Sequence, residues 1–127
     1  MRRRTTAVAL ATVVTVLGLA APAGAATAAP GPKGDGAKAL CKRADRIDTR
    51  IDRALKRLDG PVTQRGSIKR LQQRVDNAKA AGHTEIETYL NDRLTFRTSL
   101  VPTLQQRKTD LGKVQDWCAD HNDGAAS

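Results

Sequence analysis

Five arginines recur near the start of this chain at helical spacing: Arg43, Arg46, Arg50, Arg53 and Arg57. Alternating steps of 3 and 4 return a side chain to the same side of a helix, so a helix here would line all five along one flank. A row of guanidiniums can neutralise a polyanion, whether nucleic acid, lipid headgroups or an anionic wall polymer. Lys69, Arg70 and Arg74 extend the basic stretch, with Arg65 and Lys79 beside them. Asp45, Asp48, Asp52 and Asp59 take the opposite flank. Residues 38–79 carry 13 basic and 5 acidic groups, net +8, whereas residues 83–127 carry 5 and 7, net −2. A second reading stands beside the first. Heptad flanks are ordinarily charged, and they pair with the helix that packs against them.

Other chemistries have less to work with. Histidine occurs twice, as His83 and as His121 near the C-terminus. A nucleophilic triad needs a nucleophile beside a base that a third group holds, and nothing in the spacing brings His83 to Ser99. Asp116, Asp120, His121 and Asp123 are a loose set of metal-ligand types in a polar tail, so no metal site is expected. Carboxylates such as Asp48 and Asp52 fall on a solvated flank, without a cleft to raise one pKa. There is no glycine-rich phosphate loop, and no cofactor or enzymatic activity is expected. Sequence-specific nucleic-acid binding is disfavoured, because residues 38–79 contain no aromatic residue on which a base could stack. Arg93, Arg97 and Arg107 fall near the apolar seam of a later helix, where a charge needs a partner; Asp52 is the expected one for Arg107.

The elements that must position these groups are helical. Leu40, Ala44, Ile47, Ile51, Ala54 and Leu58 form a heptad seam, and Gly60-Pro61 ends the helix, expected over 37–59. After a loop at 62–66, Ser67 is a fitting N-cap for a second helix with seam Ile68, Leu71, Val75 and Ala78, closed by Gly82. Thr84-Glu-Ile-Glu87 spells a capping box for a third helix running to about residue 119. Ile86, Leu90, Leu100, Leu104, Leu111, Val114 and Cys118 are read as lying on or near one seam, with Pro102 expected to kink one long helix.

Cys41 and Cys118 are the only cysteines, separated by 77 residues. Paired, they exclude an up-down-up bundle of three similar helices, which would put them at opposite ends. They fit an all-α fold in which the first two helices run end to end and the third returns alongside both. This is a long antiparallel αα-hairpin, its first arm broken at Gly60-Pro61 and its second kinked at Pro102, closed by one disulfide. A small bundle of three or four helices, turning sharply at Pro102, is the alternative. Heptad seams also admit a coiled coil extended into a self-assembling structural protein.

The N-terminus decides where such a disulfide could form. Arg2-Arg3-Arg4 precedes an apolar stretch from Ala7 to Ala21, then Pro22 and the small-x-small Ala23-Gly24-Ala25. This reads as a cleavable signal peptide over 1–25. An apolar stretch of about 15 residues reaches roughly 22 Å as a helix, short of the roughly 30 Å bilayer core, so stable membrane insertion is not expected. No cysteine follows the stretch directly, as a lipoprotein would need, and Thr5-Thr6 stand where a twin-arginine signal wants large apolar residues. Ordinary secretory export is the expectation. The leader resembles those of small secreted proteins of high-GC Gram-positive bacteria; the resemblance covers the leader alone and implies a compartment. Removing 1–25 takes three of the 22 basic residues and none of the 13 acids, leaving +6. Beyond it the chain divides into a flexible linker, 26–36, the helical hairpin, 37–119, and a tail expected to be disordered, 120–127. The expected partner is an anionic cell-wall or surface polymer, or another protein.

Overall fold

A computed structural model describes residues 29–125; the signal-peptide expectation falls on residues outside that range. The domain is all-α. Three α-helices, α1 (Ala37–Leu58), α2 (Ile68–Ala80) and α3 (Thr84–Asp120), are followed by one 3-10 turn, Asn122–Gly124. Both α1 and α2 pack against α3. At 37 residues, α3 is about 55 Å long and splints two shorter helices laid end to end. This is the αα-hairpin, and Cys41–Cys118 closes its open end with a Cα–Cα distance of 5.7 Å.

Each boundary has a local cause. Asp35 Oδ1 accepts from the Ala37 amide at 2.9 Å and caps α1. At the break, the Ser67 hydroxyl donates to the Pro61 carbonyl at 2.8 Å and accepts from the Arg70 amide at 3.1 Å. One fully buried side chain therefore folds the 60–66 loop and starts α2. Gly66, with φ +91°, lets the aliphatic part of Arg57 cross its backbone; a Cβ there would lie 2.9 Å from Arg57 Cδ. At the hairpin turn, Gly82 (φ +69°) completes a Schellman motif: His83 N–H donates to Ala78 C=O and Gly82 N–H to Lys79 C=O, each at 3.0 Å. The capping box does not form. Thr84 is already helical and His83 stands at the cap position, with no side-chain cap hydrogen bond.

The hydrophobic core is divided at the break. Ala44, Ile51 and Leu111 form one cluster, with Ile47, Leu55, Leu104 and Val114 packed on it. Leu71, Val75, Ala78 and Leu90 form the other, joined by Leu94. Pro102 lies inside α3 without ending it. It offers no N–H to the carbonyl one turn back, and the neighbouring hydroxyls of Ser99 and Thr103 donate to the Phe96 and Ser99 carbonyls.

The seam of α3 differs from the expected one. Leu90, Leu94, Arg97, Val101, Leu104, Lys108, Leu111, Gln115 and Cys118 form an inward row, an unbroken alternation of 4 and 3 through the proline, with Val114 packed beside it. Three of them are polar, and each meets the first arm. The Arg97 guanidinium donates to Ser67 C=O at 3.4 Å, Lys108 pairs with Asp52 and Asp48, and Gln115 Nε2 donates to Asp45 Oδ1 at 2.9 Å. Polar groups at seam positions fix axial register, because sliding by a turn would strand them. Ile86 is corrected: at 52% exposed it lies off the seam. Arg107 is corrected too. It points to solvent, and Lys108, one residue on, takes Asp52.

After α3, residues 121–125 form a turn. Asn122 and Asp123 adopt positive φ, which these two residue types tolerate best after glycine, and the 3-10 turn packs on the start of α1. Gly124 approaches so closely that a Cβ would sit 3.0 Å from the Lys38 amide nitrogen. His121 stacks on Trp117 with centroids 4.3 Å apart, reinforcing the end that the disulfide ties.

Candidate functional site

The two flanks of α1 have unlike fates. The acidic flank faces α3: Asp48 lies 3.6 Å from Lys108 Nζ, Asp52 hydrogen-bonds the same ammonium, and Asp45 takes Gln115. The hydrogen bond to Asp52 is the main cause holding the Lys108 ammonium above the ordinary lysine range; partial desolvation opposes it, and the charges of Asp48 and Asp52 add to it. A raised lysine pKa contributes stability that is complete below the unfolded-chain value and lost as pH climbs through the folded one, so these contacts persist through neutral pH.

The arginine flank receives no such partner. Arg43, Arg46, Arg50, Arg53 and Arg57 are all exposed, and among the described residues every ion pair belongs to Lys108. Arg43 makes one bond inside its own helix, to Ala39 C=O at 3.1 Å. Arg57, in the last turn of α1, complements the helix C-terminus while its stem lies over Gly66. The pairing expected of a heptad flank is thus made by the aspartates and not by the arginines.

Lys69, Arg70 and Arg74 are exposed on α2. Arg70 reaches back to Val62 C=O at 3.2 Å. Arg70 and Arg74 meet Arg65 from the loop and Arg93 and Arg97 from α3 around one polar hollow of about 270 Å³ at the elbow. The hairpin therefore gathers arginines that are remote in sequence. No protein-family model, curated protein or solved structure matches this chain. The site must be read from its own geometry.

One feature escaped the sequence reading. Ile86, Tyr89, Phe96 and Leu100 lie at heptad spacing on the outer side of α3, with Arg93 completing the repeat. Tyr89 is 60% and Phe96 66% exposed, and Arg93 sits over the Tyr89 ring at 5.8 Å from its centroid. The second 3–4 repeat, offset from Leu90 and Leu94, was the available signal. At the disulfide end, Leu40, Val114 and Trp117 line a separate apolar hollow of about 400 Å³. Ser99 donates to its own helix at Phe96 C=O, and among the described residues no three His, Cys, Asp or Glu side chains are grouped closely enough to hold a metal ion. No helix among them is long and apolar enough to cross a membrane.

Proposed function

We propose that this is a secreted, non-enzymatic binding module whose first arm engages an anionic surface polymer by charge. One observation carries the reading: five arginines on one flank of α1 stay exposed and outside every ion pair among the described residues, while three of the four aspartates of the other flank, Asp45, Asp48 and Asp52, are taken up by α3. A flank needed only for folding would be expected to find its partners on the facing helix. Lys69, Arg70 and Arg74 continue the basic surface along α2. The disulfide is compatible with the oxidising conditions outside the cell.

Binding of this kind releases condensed counterions. The logarithm of affinity should then fall linearly with the logarithm of salt, with a slope on the order of −0.7 per contacted charge for a flexible polyanion. Retention of the oxidised protein on an immobilised phosphodiester polymer, followed from low to high salt, checks this. Retention unchanged at high salt would remove the mechanism.

The exposed stripe of Ile86, Tyr89 and Phe96 favours a second reading, a helical structural protein that assembles through α3. Size measured across a dilution series separates the two, since assembly requires a mass that grows with concentration.

A further inference from the structure

The elbow hollow shares Arg70 and Arg74 with the basic surface of the first arm, but it is concave and adds Arg93 and Arg97 from α3, and it holds none of the five α1 arginines. Arg70 and Arg74 lie one turn apart on α2, and Arg93 and Arg97 one turn apart on α3. Like charges at this spacing destabilise a helix rather than support it. Packing α2 against α3 brings the two pairs together, and Arg65 closes the group from the loop. Among the described residues no carboxylate lines the hollow; Asp92 lines the adjoining groove instead.

Two of the five are held in place. Arg70 is fixed by Val62 C=O and Arg97 by Ser67 C=O, so both guanidiniums are oriented before any ligand arrives. The side chains of Arg65, Arg74 and Arg93 donate no hydrogen bond to the protein among the described residues, Arg93 only lying over the Tyr89 ring, which leaves their donors for something else. Five converging cations with no counter-charge are costly in the free protein, and an anion relieves that cost.

We propose that this hollow is a discrete site for a compact oligophosphate, meaning two or three linked phosphate groups. Charge sets the number. A phosphate brings about −1.5 to −2, so one leaves the five guanidiniums largely uncompensated and two or three come close to balance. Size agrees: small-molecule pockets span roughly 300–1,000 Å³, and about 270 Å³ suits a small charged group, not a polymer. Arginine is the fitting side chain, because its planar fork bonds phosphate oxygens in pairs. The linked phosphates can come free or on a nucleoside. Exposed Tyr89 and Phe96 line the neighbouring groove, which shares Arg93 and Arg97 with the hollow, and either ring can stack on a base.

Titration calorimetry on the oxidised chain, at fixed moderate salt, tests the site with inorganic tripolyphosphate, orthophosphate and ATP. Tripolyphosphate is expected to bind one to one and at least about tenfold more tightly than orthophosphate. Arg74→Gln with Arg93→Gln should weaken it about 100-fold, since two charge-assisted contacts are lost. Neither side chain hydrogen-bonds the protein, and Arg93→Gln gives up only its exposed contact with the Tyr89 ring, so the fold should be unaffected, which the circular dichroism of the variant checks. Arg46→Glu, Arg50→Glu and Arg53→Glu together should leave tripolyphosphate binding within a few-fold, which separates this site from the arginine flank of α1. ATP equal to tripolyphosphate assigns the site to the phosphates alone. Tighter ATP, lost in Tyr89→Ala with Phe96→Ala, assigns it to a nucleoside oligophosphate. Orthophosphate binding as well as tripolyphosphate, or full affinity in the Arg74/Arg93 variant, would overturn the proposal.

Discussion

Replacing Cys41 and Cys118 by alanine is expected to lower the thermal midpoint by about 15–30 °C. The bridge joins residues 77 apart, and the loop entropy it removes from the unfolded chain corresponds to about 4 kcal/mol. A domain of this size has only about 5–13 kcal/mol in total. The helices it joins have little else at that end. The nearby core is built largely from Ala44, Ile51 and Leu111, with small or half-buried neighbours. Scanning calorimetry of the double variant, and of the native protein with reductant, should give matching drops. A shift of only a few degrees would show that the polar seam contacts and the 3-10 turn hold the open end unaided.

Leu90→Ala is expected to cost about 2–5 kcal/mol and to act on one half of the molecule. Leu90 is 3% exposed and is the one buried residue that α3 contributes to the cluster holding α2. At 13 residues, α2 is at the lower limit for a helix that stands alone in water. Its stability must come from packing on α3. Hydrogen exchange should therefore accelerate across 68–80 while amides near the disulfide keep their protection. Equal acceleration along the whole chain would mean that the two clusters unfold as one unit.

The hairpin was legible because apolar spacing and cysteine separation are both properties of the linear chain. Leu40 to Leu58 mark a buried face directly, and Cys41–Cys118 admits only topologies that bring the two arm ends together. Ser67 was legible as a cap for the same local reason. What a count of apolar residues misses is the polar half of the α3 seam. Lys108 and Gln115 sit where the repeat requires an inward residue, yet their types suggest surface. Ile86 misleads in the opposite direction: it is apolar and one turn from Leu90, but it belongs to the outer stripe with Tyr89, and the half-buried Glu87 takes the place that continues the inward repeat. Which flank of α1 faces α3 depends on how the helices are rotated against each other, and that is set by packing. Spacing groups the arginines and the aspartates; it does not say which group will be paired. The elbow arginines come from three segments, so only the folded hairpin brings them together.

Charge reversal on the free flank tests the central claim most directly. Arg46→Glu, Arg50→Glu and Arg53→Glu are the chosen set, because Arg57 packs over Gly66 and its loss would disturb the elbow. The measurement is the affinity of the oxidised triple variant and of the native chain for a soluble phosphodiester polymer at one low salt concentration. Helix content of both is read from circular dichroism. With each basic group near an anionic surface contributing about 1 kcal/mol, the variant should bind at least about 100-fold more weakly. Native-like affinity in a folded variant would contradict the account and return the arginines to the role of a solvated helix face.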